Sequence, residues 1–149
     1  MTKQPIEAPA LSAETVDIVK STVPILKEHG EAITSRMYDR LFVEYPEVEP
    51  MFADTTSDQK ARLANAVMAY AANVDNLDVL MPVVDSIAEK HVAAGVSSDL
   101  YPIVGGLLLG SMVDVLGPLD DAVIDAWGEA YDYLASVFIE VDAGKMAAA

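Results

Sequence analysis

The sequence predicts an all-α fold of about six long helices joined by short turns. Leu80, Val84, Ile87 and His91 recur at helical spacing, and Trp127, Tyr131, Leu134, Phe138 and Val141 repeat that period near the C-terminus. Each set therefore shares one helix face. No segment alternates apolar and polar residues over strand length, and the periodic runs break at Gly30, Pro46, Gly95 and Gly117-Pro118.

Taken in order, residues 1–10 read as an arm holding Pro5 and Pro9. Ser12 is a fitting N-cap, with Glu14 in the first turn, for a helix running to about His29 and ended by Gly30. Pro24 falls inside that helix and is expected to kink it. His29 would then stand in the last turn, where a cation suits the helix dipole. A second helix covers Glu31 to Tyr45, with Ile33, Met37, Tyr38, Leu41 and Phe42 as its apolar stripe. Pro46 stops it and opens a turn to Pro50, followed by Met51-Phe52 and a polar loop from Asp54 to Asp58.

The next helix, about Ser57 to Val74, carries Gln59, Leu63, Ala66, Val67, Tyr70 and Val74 on one side. Asp75-Asn76 is a turn. The helix bearing His91 spans Asp78 to Ala93 and ends near Gly95. Another begins around Asp99, with Pro102 in its first turn, and ends at Gly117-Pro118. The last runs from Asp120 to about Asp142. The expected organisation is one domain, 11–142, with the arm 1–10 before it and a tail 143–149 after it.

A chain of 149 residues suits a single domain with a real core, and 52 % apolar residues is too many for a disordered chain. The longest apolar stretch, Ile103 to Val113, holds three glycines and is too short to span a bilayer. The N-terminus has no apolar core of signal-peptide length and the chain has no cysteine, which together favour the cytoplasm. Net charge is −15, and between His91 and Gly144 there are nine acids and no Lys or Arg. Such a surface repels nucleic acid and anionic membrane. It reads as a solvated acidic exterior rather than as a docking patch.

Enzyme templates mostly fail. There is no Gly-x-Ser-x-Gly, no phosphate-binding glycine loop, no His-Glu-x-x-His and no Glu-x-x-His pair. With two histidines and no cysteine, a four-ligand zinc site is disfavoured. His91, on an apolar face, is either a satisfied core side chain or the ligand of something held in the core, and one histidine holding a haem iron stays open. Tyr38, Phe52, Gln59, Tyr101 and Asp142 also fall on or beside apolar stripes. Taken singly, each has a structural explanation: a core tyrosine, a packing anchor, a solvated first-turn glutamine.

The combination resembles a known family. The carrying stretches are Thr22-Val23-Pro24-Ile25-Leu26-Lys27-Glu28-His29-Gly30, Tyr45-Pro46-Glu47-Val48-Glu49-Pro50-Met51-Phe52, Lys90-His91 with Ala94-Gly95-Val96, Tyr101-Pro102-Ile103-Val104-Gly105, and Ala126-Trp127-Gly128-Glu129-Ala130-Tyr131. In this order they are similar to single-domain bacterial haemoglobins and to the globin domain of flavohaemoglobins, over about residues 11–142. The resemblance implies a globin fold around haem b. His91 would be the proximal iron ligand and Tyr38 the distal hydrogen-bond donor to oxygen. Phe52 would pack on the porphyrin, Gln59 matches the distal glutamine, Leu63 the leucine one turn on, and Tyr101 the tyrosine beside the proximal histidine. The cofactor-binding set also takes in Lys90. Arg62, three residues after Gln59, is expected either to pair with a haem propionate or to swing toward the distal ligand, with a solvated arginine as the alternative.

Two departures bear on chemistry. The proximal network of the family ends in a glutamate, and the aligned Asp142 is one methylene shorter; if it does not reach, the electronic push on iron weakens. The sequence also stops at Ala149 without flavin- and nicotinamide-binding domains, so iron reduction is expected to need an external reductase. The function implied is oxygen binding, together with nitric oxide dioxygenation, which turns dioxygen and nitric oxide into nitrate. Oxygen storage or delivery alone, a gas sensor and a haem-free helical module are the alternatives. Partners expected are O2, NO and CO, an electron-donating reductase and a second copy of the chain in a homodimer.

Overall fold

The computed structural model describes residues 11–52 and 59–148. Among them there are six α-helices, two short 3₁₀ segments and no strand, as the absence of period-two alternation predicted. The arm 1–10 and the polar loop after Phe52 lie outside the described residues.

Helix α1 (Ala13–Ser21) starts at Ser12, whose hydroxyl accepts the Thr15 backbone N–H at 3.1 Å. Helix α2 (Val23–Glu44) follows after a single residue, Thr22. This corrects the expected helix end at Gly30. Pro24 lies in the first turn of α2, where its missing N–H costs no intrahelical bond, so it opens a helix instead of kinking one. Thr22 makes the joint. Its hydroxyl donates to the Val19 carbonyl at 2.6 Å and accepts from Trp127 Nε1 at 3.2 Å.

Gly30 is buried in the middle of α2 and serves packing: a Cβ there would lie 3.4 Å from the Cβ of Ala64 on α3. His29 consequently sits mid-helix and partly exposed, 3.6 Å from Glu28 Oε1, and has no helix terminus to complement.

Pro46–Phe52 forms a 3₁₀ segment where a turn was expected. Helix α3 (Gln59–Ala72) is followed by a 3₁₀ turn, Leu77–Leu80, and by α4 (Met81–Ala94). The first turn expected of the His91 helix is thus 3₁₀, and Pro82 opens the α-helix proper. Gly95 ends α4 with φ 77°, a conformation that glycine adopts without strain. Helix α5 (Leu100–Leu116) ends at Gly117, as predicted. Helix α6 (Asp121–Ala148) runs on into the segment expected to be a tail. Lys145 in that extension pairs with Asp85 of α4 at 2.9 Å.

Helix α2 packs on α3 and α5, while α6 packs on α1, α4 and α5. The core between these layers is built from Val19, Ile33, Met37, Leu41, Val84, Leu107, Trp127 and Val137. No described helix is long and apolar enough to cross a membrane.

Candidate functional site

The helices enclose a cavity of about 420 Å³. Met37, Tyr38 and Leu41 of α2, Val48 and Met51 of the 3₁₀ segment, and Leu63, Ala66, Val67 and Tyr70 of α3 form one part of its wall. Ile87 and His91 of α4, Tyr101, Val104 and Leu108 of α5, and Trp127, Tyr131, Leu134 and Phe138 of α6 form the rest. The wall is overwhelmingly apolar, so the few polar atoms that reach it decide what it can hold.

His91 stands in the last turn of α4, with its side chain 29 % exposed. Its Nδ1 lies 2.8 Å from the Tyr101 hydroxyl, and that hydroxyl donates to Asp142 Oδ2 at 2.6 Å. A phenol carries one hydrogen, and the carboxylate can only accept, so Tyr101 accepts from His91. Nδ1 therefore carries the imidazole hydrogen and Nε2 keeps its lone pair. Asp142 Oδ2 is 4.0 Å from His91 Nδ1, so the carboxylate acts on the imidazole through Tyr101. The shorter aspartate does reach the network.

Burial lowers the His91 pKa below its ordinary value, and the Asp142 charge only partly opposes this; the imidazole is held in its neutral, ligand-competent form. Tyr101 is raised above the usual phenol range, first by burial and then by its hydrogen bond to Asp142, so it stays protonated.

Two further residues, Tyr131 and Phe138, fix this chain. Tyr131 donates from its hydroxyl to the Tyr101 carbonyl at 2.7 Å. Its ring lies so close to α5 that a Cβ on Gly105 would come 2.5 Å from it. Phe138 places its ring 5.5 Å from that of His91 and 6.0 Å from that of Tyr101. Both belong to the helical stripe of the last helix, and that signal alone does not separate packing from support of a ligand.

Tyr38 is buried and lines the cavity, its ring 5.9 Å from Phe42. Leu63 lines it as well. Arg62 and Lys90, both exposed, also contribute to the lining, so two of the chain's scarce cations stand at this site. The side chains of Phe52 and Gln59 lie outside the described residues.

The globin family model matches residues 35–138, from the middle of α2 into α6. A flavohemoprotein of Halalkalibacterium halodurans is 48 % identical over 136 residues, which cover 89 % of this chain and 33 % of that protein. The chain thus spans about a third of the length of that relative. Among solved structures, a bacterial globin from Campylobacter jejuni is 37 % identical with a TM-score of 0.85, covering 91 % of this chain and 99 % of that one. An engineered carbene transferase, derived from a candidate nitric oxide dioxygenase of Rhodothermus marinus, is 35 % identical with a TM-score of 0.89, covering 93 % and 97 %. The helices that these matches share are the ones that build the cavity around His91, and the chain belongs to the globin family.

Proposed function

We propose that this protein holds haem b in the cavity, binds dioxygen and other diatomic gases there, and converts nitric oxide to nitrate when a separate reductase supplies electrons. The observation that carries the reading is His91 itself. It is a neutral imidazole in an apolar cavity, with Nδ1 fixed by Tyr101 and Nε2 free to bind a metal. Its donor chemistry and the apolar walls fit a porphyrin.

Haem, when bound, would supply an iron that His91 holds and that takes up a diatomic gas. The chain's own residues do the rest. His91 holds the group through Nε2. Tyr101 and Asp142 keep the imidazole in one tautomer and raise its basicity. Leu63, Val67 and Leu108 exclude water. Tyr38 offers a hydroxyl hydrogen from the α2 side of the cavity, where a partly negative ligand atom gains a charge-assisted hydrogen bond. Arg62 and Lys90 suit carboxylate edges such as propionates. The flavohemoprotein relatives and the Rhodothermus marinus neighbour support the dioxygenase reading.

The test is stopped-flow mixing of the oxygenated protein with nitric oxide, followed by nitrate assay and turnover with a flavoprotein reductase. Rapid, stoichiometric nitrate with recycling supports dioxygenation. Slow reaction or no recycling leaves oxygen carriage.

A further inference from the structure

A second cleft, about 430 Å³, lies at the far end of the His91–Tyr101–Asp142 chain. Gly95 turns the chain out of α4 into Val96-Ser97-Ser98, which makes one rim. The extension of α6 makes the other, with Ile139, Ala143 and Met146. Asp142 belongs to the wall of this cleft and not to the lining of the inner cavity. Its Oδ2 is taken by Tyr101, whereas its Oδ1 is buried with no hydrogen-bond partner among the described residues, and the residue is only 5 % exposed. Buried polar atoms are nearly always paired, so an unpaired carboxylate oxygen marks a place for a donor. The nearby cation does not fill it: Lys145, three residues further on, is committed to Asp85.

We propose that this cleft binds a small primary alkylammonium ion. The ammonium head donates to Asp142 Oδ1, and the short alkyl body lies against Val92, Val96, Ile139 and Met146. Ser97 and Ser98, exposed at the rim, offer hydroxyls for the remaining ammonium hydrogens. A carboxylate in a protein of net charge −15 selects a cation over an anion or a neutral alcohol. The Met146 side chain, 57 % exposed, is the part of the wall that yields as the head group enters. The inference rests on the cleft and on Asp142, and does not depend on haem in the cavity.

Isotope-labelled full chain, as purified, is titrated with n-butylammonium chloride and followed by amide NMR. The expected result is saturable shifts at Ser97, Ser98 and Met146, with butyrate producing none and 1-butanol binding about tenfold more weakly or worse. Ala143→Leu fills the cleft without touching the carboxylate and should weaken binding by about tenfold or more, and Asp142→Asn should do the same. The proposal is overturned if the shifts do not saturate, if butanol or butyrate binds equally well, or if Ala143→Leu binds like the wild type. If haem binding fails while butylammonium still saturates, only the functional reading above falls.

Discussion

Tyr101 accepts a hydrogen bond from His91 Nδ1 at 2.8 Å because its own hydrogen is given to Asp142 at 2.6 Å. One phenol thereby sets the tautomer of the imidazole and carries the influence of a buried carboxylate to it. Tyr101→Phe should break both links while keeping the ring. Asp142 would then be buried with neither oxygen paired, a cost of about 1–3 kcal/mol. The measurements are urea unfolding, which should show a loss of that size, and the iron–histidine stretching frequency in resonance Raman, which should fall as the imidazole becomes less basic.

Tyr38→Phe tests the other part of the cavity. The side chain is buried, so removing only the hydroxyl leaves packing nearly intact. Loss of a hydrogen bond to a partly charged ligand costs on the order of 1.5–3 kcal/mol, or about ten- to a hundredfold in the oxygen dissociation rate. A rate that barely changes would transfer the donor role to Gln59.

Gly105→Ala should disturb His91 without touching it. The added methyl meets the Tyr131 ring, which must shift and pull its hydroxyl from the Tyr101 carbonyl. Overpacking of this kind costs about 1–3 kcal/mol. The expected signature is a lowered melting temperature together with a changed iron–histidine frequency. Gly106→Ala is the control, since nothing lies near the Cβ it would add.

Much of this was legible in the sequence, because the relevant signals are local. Gly95 and Gly117 end α4 and α5 where predicted, since the positive φ that each adopts at the helix end favours glycine. The join at Thr22 was misplaced because Gly30 is equally good as a helix end and as a close-packing position. Only Ala64, brought near by the fold, decides between them. The extension of α6 beyond Asp142 depends on tertiary contacts, including the pair from Lys145 to Asp85, and no local stop or start signal records them. At the site, the resemblance pointed to His91, Tyr38 and Tyr101. The reach of Asp142 was illegible, because a missing methylene can be recovered by the approach of α6 to α5. The supports from Tyr131 and Phe138 were hidden in an ordinary apolar stripe.

Asp114 gives a pH prediction. Its hydrogen bond from Arg36, at 3.0 Å, and the Arg40 guanidinium at 3.3 Å tie α5 to α2 and lower its pKa below the usual 3.8. A carboxylate with a depressed native pKa contributes its stability above the unfolded value and loses it as pH falls through the native one. The melting-temperature difference between wild type and Asp114→Asn should therefore be present at neutral pH, small because the group is exposed, and should vanish as pH falls below 3.8. A difference that grows in acid would contradict the assignment.

Arg62 is exposed and lines the cavity. If it pairs with a haem propionate, Arg62→Ala should speed haem transfer to an apo-globin scavenger modestly, by the equivalent of about 0–1 kcal/mol, and more at low salt than at high salt. Equal rates for wild type and variant at both salts would leave it a solvated arginine.

His91 is the residue proposed to hold haem, and the most direct test of that role is the absorption spectrum of purified His91→Gly with and without added imidazole. The prediction is loss of the Soret band in the variant and its return when imidazole occupies the space left behind. An unchanged ferrous spectrum in His91→Gly without imidazole would contradict that role for His91.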